Sequence, residues 1–239
     1  MSNAYSESGA EVVTAGVMEI KTGKILAMST YPSFNPNERN ISTFNNYFLE
    51  GTIECGSVFK PFIYADSIEE GKYDHNAYYN SGSYNVYYGN KLVATIKDHN
   101  GGQGWGTITY DQGLYHSSNV AICNLLDQGY VTKDVLTEKL NDLGFFQGDT
   151  VDGLTCSSSI NAYTRKNAGR LEYLTTGFGQ GSTVTPYQLL KAYSVFGNDG
   201  KTVQPHIVDK VVNPKTNKVV YQATPKYSKQ IFQQIQSVK

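Results

Sequence analysis

Cys55-Gly56-Ser57-Val58-Phe59-Lys60-Pro61-Phe62 sets a hydroxyl and an amine three positions apart, directly behind a glycine. Positions i and i+3 share a helix face, so Lys60 can reach Ser57 within one turn. Gly56 supplies a turn, which predicts Ser57 at a helix N-terminus. There, unpaired N–H groups and the positive dipole end favour a developing anion. A serine beside an amine able to take its proton is an arrangement for nucleophilic, covalent catalysis. The same spacing also occurs on ordinary surface helices, so its meaning rests on what surrounds it.

Working outward, a helix is predicted from Ser57 to about Glu70, carrying Phe59, Phe62, Ile63 and Ile68 and stopping at Gly71. Pro61 lies close enough to its start to be tolerated. Upstream, Val12–Ile20 and Lys24–Thr30 read as strands about a Thr22-Gly23 turn, and residues 32–56 read as an irregular connection. Downstream, the tyrosine-rich stretch from Tyr78 to Ile96 holds Gly89-Asn90, a hairpin signal. Its aromatics suit strand packing or a ligand groove. Thr109-Tyr110-Asp111-Gln112 and Thr185-Pro186-Tyr187-Gln188 have the form of capping boxes. The second is expected to open a helix running to about Phe196, approached by a flexible Gly177–Gly181 stretch. Val120–Leu126 begins another helix, and Thr132 caps one that ends at Gly144. Ile207–Val212 and Lys218–Gln222 read as strands, and Ser228–Val238 as helical. Strands at both ends and helices in the middle make an α+β chain with a sheet lobe and a helical lobe.

At 239 residues with 39% hydrophobic and 17% charged residues, the chain can bury a substantial core. A net charge of −1 with scattered Lys and Arg offers no nucleic-acid footprint. No apolar run approaches the length that spans a bilayer. Cys55, Cys123 and Cys156 form no C-x-x-C pair and lie near no spaced histidines, so neither a metal nor another cofactor is expected. His75, His99, His116 and His206 are separate along the chain and read as surface or hydrogen-bonded residues. Ser2-Asn3-Ala4 is similar to an expression remnant, and residues 1–10 are expected to be a disordered lead-in.

Four stretches together resemble the transpeptidase domain of class B penicillin-binding proteins. Glu19 to Asn37 is similar to the family's opening hairpin and the segment after it. Cys55 to Phe62 resembles its S-x-x-K nucleophile helix, with Cys55 where the family usually has proline. Gly104-Trp105-Gly106-Thr107 through Ser117-Ser118-Asn119 resembles the approach to its second motif, S-x-N. Gly179-Gln180-Gly181 through Leu189 resembles the helix entry ahead of its third. They run in family order from about residue 12 to 222. The resemblance implies one transpeptidase domain over residues 11–239, with a sheet lobe from 11–31 and 167–239 and a helical lobe from 32–166.

The resemblance also implies the chemistry. Ser57 would attack the D-Ala–D-Ala carbonyl of a peptidoglycan stem peptide, or a β-lactam ring. Lys60 would take its proton, which requires a depressed pKa. Ser117 would relay a proton to the leaving amine, and Asn119 would hydrogen-bond Lys60 and the donor peptide. The outcome would be peptidoglycan cross-linking, alongside other cell-wall synthesis proteins, on the extracytoplasmic face of a bacterial membrane through an N-terminal anchor. The family's third motif, K-[ST]-G, is not reached after Asn119. Lys21-Thr22-Gly23 spells it, but in the opening turn before the nucleophile. The expectation is a chain cut short of that motif and acylated poorly by itself.

Two alternatives share the first motifs. A non-enzymatic β-lactam sensor domain would differ in its flanking membrane spans. A serine β-lactamase of class A needs E-x-x-L-N, and Glu138-Lys139-Leu140-Asn141 is one residue short; a class D enzyme would carry valine at Asn119.

Overall fold

The computed structural model describes residues 1–38 and 43–233. In chain order the elements begin with α1 (Ser2–Ser8), β1 (Val13–Met18), β2 (Ile25–Tyr31) and α2 (Tyr47–Glu50). A 3-10 turn, Gly56–Phe59, leads into α3 (Lys60–Glu69). Next come β3 (Tyr78–Asn80), β4 (Ser83–Tyr88), β5 (Lys91–Lys97), β6 (Thr107–Thr109), α4 (Tyr110–Tyr115), α5 (Asn119–Asp127) and α6 (Lys133–Asp142). The chain continues through β7 (Asp149–Val151), β8 (Leu154–Cys156), α7 (Arg170–Gly177), α8 (Pro186–Tyr193), β9 (Lys210–Val212) and β10 (Val219–Gln222). Among the described residues every named strand pair is antiparallel and two-stranded. Helices and antiparallel strands thus combine in the expected α+β class.

Two compact units divide the chain, and they cut it differently from the expected lobes. The first comprises Met1–Ile53, Asn141–Ser159 and Val184–Ile231. Its core joins Ile25, Phe48, Leu49, Val151, Cys156 and Tyr187, with Met28 and Leu190 packed against them. Segments expected in the helical lobe therefore belong here, because α2 and the β7–β8 hairpin supply four of the six residues of that cluster. Thr185 caps α8 as its sequence predicts, accepting from Gln188 N while Gln188 Oε1 accepts from Thr185 N (3.1 and 3.0 Å). Residues 2–8 form a helix closed by Gly9, where a disordered lead-in was expected.

The second unit comprises Glu54–Leu140 and Ile160–Thr183, with Phe232 and Gln233 among the described residues. Its centre is α5, whose Val120, Ala121, Ile122, Cys123, Leu125 and Leu126 are all buried. Burying a Leu or Ile side chain contributes about 1.5–3 kcal/mol. α3 and α7 both pack on α5. A Cβ on Gly177 would lie 2.6 Å from Ile122 and Leu126, so a glycine at the end of α7 allows that close approach. This packing draws residues 160–183 into the helical unit rather than the sheet lobe. The β4–β5 hairpin turns at Gly89-Asn90 as predicted, whereas Tyr78–Asn80 pairs with Thr107–Thr109.

The remaining differences are local. Strands expected over Ile207–Val212 and Lys218–Gln222 shorten to β9 and β10, and the β7–β8 hairpin and α7 appear where none was predicted. Ser228–Gln233 is not helical, and the rest of that predicted helix lies outside the described residues.

Candidate active site

Ser57 occupies the 3-10 turn rather than the first turn of an α-helix. In that geometry i and i+3 eclipse, and Lys60, whose N–H donates to the Ser57 carbonyl, opens α3. The turn is pinned from behind: Gly56 N donates to Gly179 O at 2.9 Å. Gly179 has φ +75, and a Cβ there would sit 2.2 Å from the Gly56 carbonyl. Only glycine allows that backbone apposition. The Gly177–Gly181 stretch, expected to be flexible, is tied by Gln180 N to Thr175 O (3.0 Å) and by Gly181 N to Glu54 Oε1 (2.9 Å).

Opposite the turn, α4 ends and α5 begins through Ser117, which adopts φ +53, a left-handed conformation unusual for a side-chain-bearing residue. Such strain costs roughly 1–3 kcal/mol and gathers at functional sites. Ser118 N closes the turn onto Gly113 O (2.8 Å), and Ser118 Oγ caps α5 by accepting from Ala121 N (3.0 Å). Ser117 thereby presents both its carbonyl and its hydroxyl to Lys60: Nζ donates to Ser117 O and, at 3.1 Å, to Ser117 Oγ. Asn119 does not take the partner that the resemblance implies. Its Nδ2 donates to Lys97 O at 2.8 Å.

Lys60 is 2% exposed. Burial disfavours its charge and brings its pKa from the ordinary 10.5 down to about 8, with Asp98 pulling the other way. Two residues before Ser57, burial pushes the Cys55 thiol up to about 12, which makes it a poor nucleophile. A cleft of about 430 Å³ opens on the site, lined by Gly56, Ser57, His99, Ser117, Asn119, Phe178 and Gln180. No carboxylate is among these residues.

Sequence reasoning missed Asp98, His99, Phe178 and Gln180. Asp98 is 1% exposed, and its carboxylate accepts from Ser118 Oγ (2.8 Å), Val120 N (3.1 Å) and Gly82 N (2.8 Å). An Asp-His pair at a strand end before a glycine-rich loop was the available signal. The histidines are also not all separate in space: His116 stacks on Trp105 at 4.4 Å and His99 packs on it at 5.4 Å. In Lys21-Thr22-Gly23, Lys21 Nζ donates to Gly197 O (2.6 Å) and Thr22 Oγ1 to the Glu19 carboxylate, so both side chains serve the opening turn.

Residues 13–238 match the family model described as penicillin binding protein transpeptidase domain. Stage V sporulation protein D of Bacillus subtilis is 30% identical over 238 residues, covering 97% of this chain and 35% of that protein. Peptidoglycan D,D-transpeptidase FtsI of Escherichia coli is 26% identical over 226 residues, covering 92% of this chain and 36% of that protein. The chain thus spans about a third of the length of these curated relatives. The solved transpeptidase domain of Burkholderia pseudomallei penicillin-binding protein 3 aligns with a TM-score of 0.75 at 21% identity, over 98% of this chain and 61% of that one. That likeness establishes the shared fold.

Proposed function

Since this chain belongs to the penicillin binding protein transpeptidase domain family, we propose that it performs D,D-transpeptidase chemistry, with Ser57 as nucleophile. The observation that carries the reading is the buried Lys60 amine, held on Ser117 with a lowered pKa, one turn of chain after the exposed Ser57. The relative named as a peptidoglycan D,D-transpeptidase supports the substrate class.

Neutral Lys60 takes the Ser57 hydroxyl proton as Oγ bonds to the carbonyl carbon of the penultimate D-Ala. The carbonyl π pair moves onto oxygen, where the Ser57 N–H donates to it. Collapse breaks the C–N bond, and Lys60 returns the proton through Ser117 to the departing D-Ala amine. An ester on Ser57 remains. An amine from a second stem peptide attacks it, its proton follows the reverse path, and the cross-link forms. Asn119 orients the donor peptide's amide. A β-lactam enters the same way, but its opened ring stays attached. The setting is the extracytoplasmic face of a bacterial membrane, among other cell-wall synthesis proteins.

The test supplies the natural full-length protein with an acyl-D-Ala thioester and a D-amino acid acceptor. Aminolysis product that disappears in Ser57→Ala supports the reading; product formed equally by that variant refutes it.

A further inference from the structure

We propose that Asp98 is a positioning residue for acyl transfer, clamping the Ser117-Ser118-Asn119 turn so that Ser117 meets Lys60. This rests on the Ser57 acylation reading above. Asp98 follows β5 and is buried, and its two carboxylate oxygens hold different segments. Oδ1 accepts from Ser118 Oγ (2.8 Å) and Val120 N (3.1 Å), at the start of α5. Oδ2 accepts from Gly82 N (2.8 Å), just before β4, while Asp98 N donates back to Gly82 O (2.9 Å).

Ser118 sits between the residue that receives Lys60 and the residue that binds Lys97 O. A shift of the Asp98 carboxylate therefore moves both site residues together. Hydrogen bonds to a carboxylate are stronger than those between neutral groups. The left-handed Ser117 conformation needs such support, because its own backbone preference opposes it. Asp98 also acts on Lys60 through charge. Among the described residues, Asp98 beyond β5 is the group whose charge favours the ammonium; Cys123 on α5 also faces Lys60, but burial raises its pKa and keeps the thiol neutral. Removing the Asp98 charge leaves the desolvation of Lys60 less opposed, so the amine becomes neutral at lower pH.

The experiment measures penicillin acylation against pH in the full-length natural protein, with the Lys60 side chain followed by ¹³Cε NMR. Asp98→Asn should lower the Lys60 midpoint and the acid limb of the rate by at least ~0.5 pH unit. It should also lose at least ~10-fold at the plateau. Ser118→Ala keeps the carboxylate, so it should lose plateau rate without moving the midpoint, and Ser118→Thr should recover the loss. A folded Asp98→Asn protein with native midpoint and pH profile overturns the proposal. If Asp98→Asn does not fold, the Ser118 pair decides: equal plateau rates for Ala, Thr and native overturn it. If the native protein never acylates at Ser57, the functional reading fails, whereas the Lys60 midpoint in Asp98→Asn still tests the coupling to Asp98.

Discussion

Lys60 Nζ lies 3.1 Å from Ser117 Oγ and also donates to the Ser117 carbonyl, joining positions 57 residues apart in the chain. A buried amine held by two acceptors from one strained residue has a fixed direction as well as a lowered pKa. Both properties are what a general base for a serine needs.

That pairing makes stability depend on pH in a defined sense. The native state lowers Lys60 from 10.5 to about 8, so between those values it binds fewer protons than the unfolded chain. Stability from this group therefore rises across that window, and below it the fold carries the full cost of a buried charge. Lys60→Met removes the charge. Its stability relative to native should be highest at pH 6 and should fall as pH climbs from 8 to 10.5, as read by urea titration at each pH. A difference that stays flat or grows with pH contradicts the account.

Gly179 is predicted to be irreplaceable. An alanine there meets the Gly56 carbonyl and adopts a left-handed backbone at φ +75. Gly179→Ala should cost about 1–3 kcal/mol of stability and reduce Ser57 acylation by at least ~10-fold. Gly181→Ala, also at positive φ but with no atom nearer than 3.4 Å, controls for backbone strain alone. Equal acylation in the two variants would dissociate the Gly56–Gly179 contact from the nucleophile turn.

Asp66 on α3 is 1% exposed, with no hydrogen-bond partner for Oδ1 among the described residues. Burial raises its pKa from 3.8 to about 8, with Lys139 opposing. The native state thus binds more protons than the unfolded chain between those values, and stability falls as pH rises through the window. Asp66→Asn should be more stable than native at pH 9, with the advantage shrinking to nothing near pH 4. Thermal melts at both values decide it; a variant less stable at pH 9 than at pH 4, relative to native, removes Asp66 as a strained buried acid.

The acyl-enzyme should be long-lived. Among the described residues no carboxylate lines the cleft to activate a deacylating water. Pulse-labelling followed by a chase should leave the adduct in place for many minutes, and brisk turnover of a chromogenic cephalosporin would point to hydrolysis instead.

The local features were legible because each is written in a few adjacent residues. Thr109 and Thr185 form the capping boxes that their sequences spell, and Gly89-Asn90 turns the hairpin. Lys60 follows Ser57 by a single turn, as the spacing requires. What escaped depends on contacts distant in sequence or on elements too short for periodicity. Asp98 became visible only when Ser118, Val120 and Gly82 converged on it. The β7–β8 strands are three residues each, too few for an alternation to register. Their Asp152-Gly153 turn, with φ of 47 and 88, did carry a hairpin signal. The 3-10 start at Ser57 is written locally too, in Pro61, which has no N–H for the Ser57 carbonyl and leaves it to Lys60 N; the Gly56–Gly179 contact behind it has no local signal. The turn from Ser117 to Asn119 was readable only through resemblance to a family, since Ser-Ser-Asn is equally a helix cap.

The central claim is that Ser57 is the residue acylated. The direct measurement is peptide mapping by mass spectrometry after the full-length natural protein reacts with labelled penicillin. A single penicilloyl group is expected on Ser57, absent from Ser57→Ala and strongly reduced in Lys60→Arg, whose guanidinium stays charged and cannot take the proton. A label on Ser117 or any other residue, or one that survives in Ser57→Ala, would contradict it.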